Sequence, residues 1–368
     1  MASADQGIWL GLLKWSLQHS DGTAPSLQSS MSDEDKSFLE KVMREYTRDE
    51  PARMREIMVD LVVFVEPSHA ARVDGDAPTP KSDEEVEALL EELRDIVEQI
   101  DMAQVFAKFG GLQCILAVLE KTSAGVDCRA MACSVLACLA QNNLHVQEQI
   151  YAQGLVARLS ILTAQYLMSP SDGQRVFGSK ILHALSCSIR NHPAAEELFS
   201  LAHAHAVLGA AMVGGGGGSL WGAAGGGRAA CMRRAVYLAE ALLSSDTCSA
   251  ARLGKIVPAV VPACFGGLCG EDVDLREGTL RLLLAVLGST VGHAALCTGG
   301  VHHDALLAAL AQRRSVSLAD DDQEAHERNM VERVEEMSKG GFSGAREMAA
   351  AEEGPDDVPA ASVLLLGP

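Results

Sequence analysis

Cysteine is the residue type in this sequence most able to carry chemistry, as a metal ligand or as a nucleophile. The chain has ten cysteines, at Cys114, Cys128, Cys133, Cys138, Cys187, Cys231, Cys248, Cys264, Cys269 and Cys297. None forms a Cys-x-x-Cys pair, and the closest group has a spacing of five, which does not place its members on one helical face. Zinc sites need clustered ligands at short spacing. The pattern therefore predicts buried free thiols in a reducing compartment, and no metal.

Two histidine pairs are the other candidate ligands for a metal ion. His203 and His205 lie at one predicted repeat turn, and His302 and His303 lie at another. Neither pair has a nearby set of carboxylates or cysteines, so we expect no metal centre. No serine or cysteine lies in a glycine-elbow context either. We therefore predict no catalytic residue, and a protein that is not an enzyme.

A glycine-rich run, Gly214–Gly227, raises the possibility of a loop that binds phosphate. Such a loop needs a preceding strand and a following Gly-Lys-Ser/Thr or G-x-G-x-x-G turn into a helix. The sequence has neither, and the flanking segments are helical in pattern. We interpret the run as a surface insert, because a longer loop costs little extra closure entropy. No nucleotide and no cofactor are expected.

The segment that organises the rest of the chain is Asp127–Leu155. Its apolar residues Ala132, Val135, Leu136 and Leu139 are spaced three and four apart and share one helical face. The helix ends at an Asn-Asn pair, and a short second helix stops at a glycine. A single helical pair cannot bury its own apolar face, so a recurring pair indicates stacking.

The unit recurs along the chain. The segments that follow the glycine stops, Phe109–Glu120 and Ala152–Ala164, are separated by roughly one armadillo period of about 40–47 residues. Looser copies of the segments that follow the glycine stops are Leu253–Phe265 and Thr298–Leu310. The long helices between these segments also correspond to one another, and they are Cys128–Asn143, Gln174–His192, Arg233–Asp246 and Leu275–Thr290. The pattern predicts an all-α fold, an armadillo-like α-solenoid of about four repeats with flanking N-terminal helices.

Composition shifts divide the chain into five parts. A short amphipathic helix at Ile8–His19 precedes a polar Gly/Pro segment, and the final residues are rich in Gly, Ala, Glu and Pro. The predicted parts are a flexible N-terminal arm at 1–30, an N-terminal helical cap and linker at 31–81, the repeat domain at 82–313 with the insert at 214–227, a C-terminal capping helix at 314–339, and a disordered tail at 340–368.

The charge balance limits the classes of partner. The formal net charge is −19, so nucleic acid and anionic membrane surfaces are disfavoured and a partner with a basic patch is favoured. No secretory signal or long apolar run is visible, so we expect no membrane span and a cytoplasmic protein, with the nucleus as a possible site. We also expect a monomer.

Four short motifs resemble the Fes-type nucleotide exchange factors, which are armadillo-type co-chaperones of the DnaK-class (seventy-kilodalton) heat-shock chaperone. The motifs occur in the family's order between Ile8 and Leu310. They are LLKWSLQHSDG at Leu12–Gly22, DMAQVFAKFGGL at Asp101–Leu112, QNNLHVQEQ at Gln141–Gln149, and ALSCSIRNHPAAEELF at Ala184–Phe199. The glycine-rich insert and the long tail depart from the family pattern.

The resemblance implies a function. In this family the concave solenoid face holds one lobe of the chaperone's ATPase domain, opens the nucleotide cleft and releases ADP, after which client protein leaves. The family uses no cofactor and does no covalent chemistry. The competing interpretation is a generic armadillo adaptor or scaffold protein. An importin-type peptide groove is disfavoured, because the three tryptophans, Trp9, Trp15 and Trp221, lie outside the repeat helices.

The resemblance also carries over to individual residues. The arm that imitates a client in the family matches Leu12, Leu13, Trp15 and Leu17. The family's contact alanine matches Ala103.

The family's contact arginine matches Arg234, and Arg233 is the alternative if the register shifts by one residue. The competing interpretation of Arg234 is a solvated charge near a helix start. Further candidates for the same partner-binding face lie at repeat turns: Asn142, Asn143, Arg190 and Asn191. Helix-end chemistry explains these four residues equally well.

Overall fold

The computed structural model describes residues 33–34, 36–39, 49–68, 81–213, 226–297, 301–315 and 322–340. Regular structure in these ranges is helical and includes no strand. The helices are α1 (Glu50–Val65), α2 (Asp83–Val97), α3 (Ile100–Lys108), α4 (Gly111–Glu120), α5 (Val126–Ala140), α6 (Leu144–Ala152), α7 (Leu155–Leu167), α8 (Asp172–Ile189), α9 (Pro193–Ala202), α10 (Ala204–Val213), α11 (Gly226–Ser244), α12 (Ala250–Gly267), α13 (Val273–Leu287), α14 (Thr290–Cys297), α15 (Val301–Ser315) and α16 (Asp322–Ser338). The predicted all-α solenoid is confirmed.

The helices stack in rows. A front row consists of α2, α5, α8, α11, α13 and α16, and each member packs along the next. A back row of α7, α10 and α12 covers it, and the short helices α3, α6 and α9 connect successive repeats. Because each repeat contacts only its neighbours, the front row forms a continuous surface rather than a closed core.

The composition of α5 explains its place in the middle of the stack. Its buried residues include Cys128, Ala132, Val135, Leu136 and Leu139. A helix that is apolar around most of its circumference is buried by neighbours on several sides. Its alanines and cysteines are small, so α2 and α8 approach it closely, as the sequence predicted.

Tight turns between helices depend on residues that tolerate left-handed backbone. Gly110 (φ 86°) and Gly154 (φ 70°) precede α4 and α7. Asn142 (φ 55°) and Asn191 (φ 66°) hold the same conformation just after α5 and α8. Glycine and asparagine adopt this region at the lowest cost, so the sequence encodes where α5 and α8 stop and where α4 and α7 begin.

Two predicted boundaries differ from the structure. Helix α11 begins at Gly226, so the last two residues of the predicted insert are helical, and Arg233 lies well inside the helix instead of opening it. Residues 214–225 of the insert and 341–368 of the tail lie outside the described residues. The charged helix predicted near the C-terminus is α16, which packs against α13 and α15.

In the described ranges, no one helix has both the length and the apolar composition to cross a membrane. Two pairs of consecutive helices pass the length and composition test when the two helices of a pair are taken together. They are α3 with α4, which are bent by 80°, and α13 with α14, which are bent by 110°.

Candidate functional site

Asn142 and Asn191 occupy equivalent places in successive repeats. Each follows a front-row helix, α5 or α8, and each is exposed in a left-handed conformation. Their carboxamides therefore lie at the edge of the front row. This placement keeps both of them available as partner contacts, and it also explains them as helix stops.

Asn143, whose role as a partner contact stays a prediction, acts as a helix cap in the structure. It is 4% exposed. Its Oδ1 accepts a hydrogen bond from the Val146 backbone N–H at 3.4 Å, and its Nδ2 donates to the Ile100 carbonyl at 3.4 Å. The side chain thus caps α6 and ties it to the preceding repeat, because the first N–H groups of a helix need acceptors.

Ala103, whose role as a partner contact also stays a prediction, lies in the core of the first repeat. Its side chain is 1% exposed on the buried face of α3, beside Phe106 and Ala107. The methyl group therefore offers no surface to a partner in this conformation. A bulky or charged replacement there would disturb the core of the first repeat instead of a contact.

Arg190 is held in place at the C-terminal end of α8. Its Nη1 donates a hydrogen bond to the Tyr237 hydroxyl at 2.7 Å, and its guanidinium carbon lies 4.9 Å from the tyrosine ring centroid. Gln147 fixes the end of the same helix, since its Nε2 donates to the carbonyls of Cys187 (2.8 Å) and Arg190 (3.0 Å). The arginine is therefore presented by a rigid support.

Arg234 lies in the middle of α11 and faces α8. Its Nη1 donates to the Ser179 carbonyl and, at 3.0 Å, to the Ser179 hydroxyl. Burial lowers the pKa of Arg234 from its ordinary value. Its neighbour Arg233 is exposed and pairs with Asp272 at the start of α13. The structure thus separates the two register alternatives: only Arg234 joins the surface that contains Arg190.

Three residues of this surface were missed by the sequence reasoning. Lys180 and His183 are exposed on α8, and Tyr237 is 48% exposed on α11. Burial is the main cause that lowers the pKa of His183, and the charges of Arg234 and Arg190 lower it further. The sequence spacing did contain a signal for these residues. Positions 180, 183 and 190 lie on one side of α8, and Tyr237 follows Arg234 by three residues on α11.

We call Lys180, His183, Arg190, Arg234 and Tyr237 the cationic face. Burial raises the pKa of Cys133 in α5 to about 12, and the charges of Lys180 and Arg234 oppose that rise, which places both cations near this helix. The face therefore spans the centre of the front row.

Carboxylates are missing from the cationic face. In the part of the chain that the structure describes, neither Lys180, Arg190 nor Arg234 has an ion-pair partner. By contrast, many arginines of the described ranges pair with carboxylates. They include Arg53, Arg94, Arg158, Arg175, Arg233, Arg252, Arg276, Arg281, Arg313 and Arg314. In a chain of net charge −19, the centre of the front row thus carries a locally positive patch. At this face an acidic partner fits better than the basic partner expected from the whole-chain charge.

The arm residues Leu12, Leu13, Trp15 and Leu17 lie outside the described residues. Over the described ranges, no group of three or more His, Cys, Asp or Glu side chains could hold a metal ion. All ten cysteines are free, and burial raises the pKa of Cys264 to about 12, which disfavours its reactive thiolate.

The fold and the site define a helical-repeat protein whose front row presents a preformed cationic face at its centre. Residues 10–105 match the family model described as "Nucleotide exchange factor Fes1". That match includes the predicted arm, α1, α2 and most of α3.

Curated relatives agree with the family match. Hsp70-binding protein 1 of Homo sapiens is 27% identical over 203 residues, which is 55% of this chain and 54% of the relative. The Mus musculus protein of the same name is also 27% identical over 203 residues, with the same coverage of both chains. The chain therefore spans about half the length of the curated relatives it matches. The resemblance to the Fes-type nucleotide exchange factor family, predicted from the motifs, is confirmed.

A solved structure supports the fold alone. The crystal structure of an engineered protein from the Northeast Structural Genomics Consortium superposes with a TM-score of 0.51 at 16% identity. The match covers 77% of this chain and 97% of the engineered protein.

Proposed function

We propose that this protein is a nucleotide exchange factor for the seventy-kilodalton heat-shock chaperone. Its front row binds the chaperone's ATPase domain, opens the nucleotide cleft and promotes release of ADP and then of client protein. The observation that carries this proposal is the match of residues 10–105 to the Fes1 exchange-factor family on a chain that folds as a solenoid. The name of the relatives, Hsp70-binding protein 1, supports the same partner.

The physical basis of exchange is differential binding. A protein speeds ADP release only if it binds the open ATPase domain more tightly than the closed, ADP-loaded one. A front row whose arginines are held by Ser179, Tyr237 and Gln147 suits this role, because a preformed surface keeps its shape while the partner changes. By linkage, bound ADP must weaken the chaperone's affinity for this protein by the same factor.

The remaining predictions become parts of this proposal. The arm residues Leu12, Leu13, Trp15 and Leu17 would occupy the client site and help to expel client protein. The protein would act as a cytoplasmic monomer without a cofactor or catalytic step, and without nucleic acid or membrane as a partner. Support for a non-enzymatic role comes from the exchange-factor family match.

The direct test is the release rate of fluorescently labelled ADP from purified chaperone, with and without saturating protein. We expect faster release with the full chain. A variant that lacks residues 1–30 should still accelerate ADP release but should displace a labelled client peptide less well, and its unfolding midpoint serves as the folding control. An unchanged ADP release rate at saturation would refute the proposal.

The adaptor interpretation makes a different prediction. A scaffold protein would bind its partners without altering nucleotide release, and its binding to the chaperone would not depend on ADP. Measuring affinity for the ATPase domain with and without ADP therefore separates the two functions, since linkage requires a difference only for an exchange factor.

A further inference from the structure

We propose that the cationic face binds a cluster of carboxylates on the surface of a folded partner, with the Arg190–Tyr237 pair as its fixed anchor. This inference rests on the proposed function and specifies the chemistry of the partner surface. It assigns roles to Lys180 and Tyr237, which the motifs did not indicate.

The first argument is charge. Towards the far end of the front row, two cations are neutralised internally: Arg233 of α11 pairs with Asp272, and Arg281 of α13 pairs with Glu277. Towards the near end, Arg94 of α2 lies 3.3 Å from Asp95. Between these flanks, Lys180, Arg190 and Arg234 have no carboxylate within the described part of the chain. These three cations on α8 and α11 therefore form a local patch of positive charge without ion pairs.

The second argument is geometry. A planar guanidinium recognises carboxylate oxygens through paired N–H groups, so its orientation matters as well as its charge. Tyr237 uses its hydroxyl and its ring to hold Arg190 in one orientation. Arg190 is partly exposed and has no carboxylate partner in the described residues, so its guanidinium remains able to donate to a carboxylate of the partner.

The third argument concerns the type of anion. An extended polyanion such as nucleic acid would meet the repulsion of a chain with net charge −19. A folded protein can bring carboxylates to the face while keeping the rest of its surface away. Tyr237, 48% exposed, adds the aromatic contact that is enriched at protein interfaces.

The test is equilibrium binding of the full chain to the chaperone's ATPase domain at low and at physiological salt. Lys180→Glu reverses an exposed charge on the face, and Lys255→Glu makes the same charge change on the exposed surface of α12. We expect the first variant to weaken binding by about tenfold or more and to reduce its salt dependence, and the second to change affinity by less than about twofold.

Tyr237→Phe tests the anchor. It keeps the ring and removes the hydroxyl that accepts from Arg190, so we expect affinity to fall by about threefold to tenfold. Arg190→Lys should lower the affinity by a similar factor, because lysine keeps the positive charge but lacks the planar guanidinium with its paired N–H groups.

The outcomes distinguish the two proposals. Wild-type protein that does not bind the ATPase domain overturns the proposed function and this inference with it. Wild-type binding that Lys180→Glu and Tyr237→Phe both leave unchanged overturns the carboxylate contact alone. Displacement of the ATPase domain by a short single-stranded DNA at physiological salt would show that the face takes a phosphate polyanion, which also overturns the inference.

Discussion

Two neighbouring seams of the solenoid use arginine in opposite ways. Between α9 and α12, Arg252 is fully buried: its Nη1 donates to Glu196 at 2.9 Å and to the Leu242 carbonyl at 3.1 Å. Between α8 and α11, Arg234 is half-buried and donates only to Ser179. Among the described residues, Arg252 has carboxylate partners and Arg234 has none.

The difference separates structural charge from available charge. A buried cation needs a carboxylate and further hydrogen bonds to offset its desolvation, and Arg252 also meets Glu197. A cation at a solvent-accessible face has no such requirement, so its presence in an acidic chain needs another reason. We attribute the unpaired cations of this face to a partner that supplies the carboxylates, and the following variants test the contrast.

The largest effect is expected at Arg252. Arg252→Met leaves Glu196 buried without its cation, so the free energy of unfolding should fall by about 3–5 kcal/mol, measured by chemical denaturation. The matched control is Arg158→Met, which breaks the exposed pair with Glu120 and should cost less than about 1 kcal/mol. Equal losses in the two variants would contradict the structural role of the buried seam.

A second buried seam fastens α16 to the array. Glu327 accepts hydrogen bonds from Arg313 at 2.6 Å and from Arg276 at 3.1 Å. Burial raises the pKa of Glu327, but the hydrogen bonds from Arg313 and Arg276 outweigh it and lower the pKa below its ordinary value of 4.5. Glu327→Gln should cost about 2–3 kcal/mol at neutral pH, because two buried arginines lose their carboxylate.

The pH dependence follows from the direction of that shift. A carboxyl whose folded pKa is lowered stabilises the fold above pH 4.5, and this contribution disappears as the pH falls through the folded pKa. The wild type should therefore lose more stability than Glu327→Gln between neutral pH and about pH 3. Parallel stability curves for the two proteins would count against the Glu327 seam.

The cationic face should behave differently from both seams. Lys180→Glu changes an exposed residue without an internal ion pair, so the free energy of unfolding should move by less than about 0.5 kcal/mol while affinity for the ATPase domain falls. Thermal unfolding and binding are measured on the same preparation. A loss of stability as large as that of Arg252→Met would mean that the face is structural.

The smallest effect is expected at Asn191. Glycine adopts the left-handed conformation readily, so Asn191→Gly should alter the free energy of unfolding by only about 0.5 kcal/mol or less. Asn191→Val, which is strained there, should cost about 1–3 kcal/mol. If Asn191→Gly nevertheless weakens chaperone binding, the carboxamide is a contact; if binding is unchanged, the residue is only a helix stop.

The repeats were predictable because periodicity reports local packing. The α5 stripe, the glycine stops before α4 and α7, and the polar break after α5 all depend on neighbouring residues in the chain. The beginning of α11 was not predictable, because the glycine-rich run continues into its first turn at Gly226. A continuous run of glycines gives no signal for the residue at which the helix starts.

Site residues were harder to predict for a physical reason. In the Asn-Asn pair, sequence could not decide which side chain is exposed, because one stops α5 and the other caps α6. Ala103 shares the three-and-four spacing of Phe106 and Ala107, so the spacing was compatible with burial, whereas the family resemblance indicated a contact. Lys180 and Tyr237 become neighbours of Arg190 and Arg234 only through the packing of α8 against α11.

The most direct measurement of the whole account is the release rate of labelled ADP from the chaperone, compared between wild type, Lys180→Glu and Lys255→Glu at equal subsaturating concentration. The account predicts that wild type and Lys255→Glu accelerate release equally and that Lys180→Glu accelerates it by about tenfold less. Equal acceleration by all three proteins would contradict the role of the cationic face, and no acceleration by any of them would contradict nucleotide exchange itself.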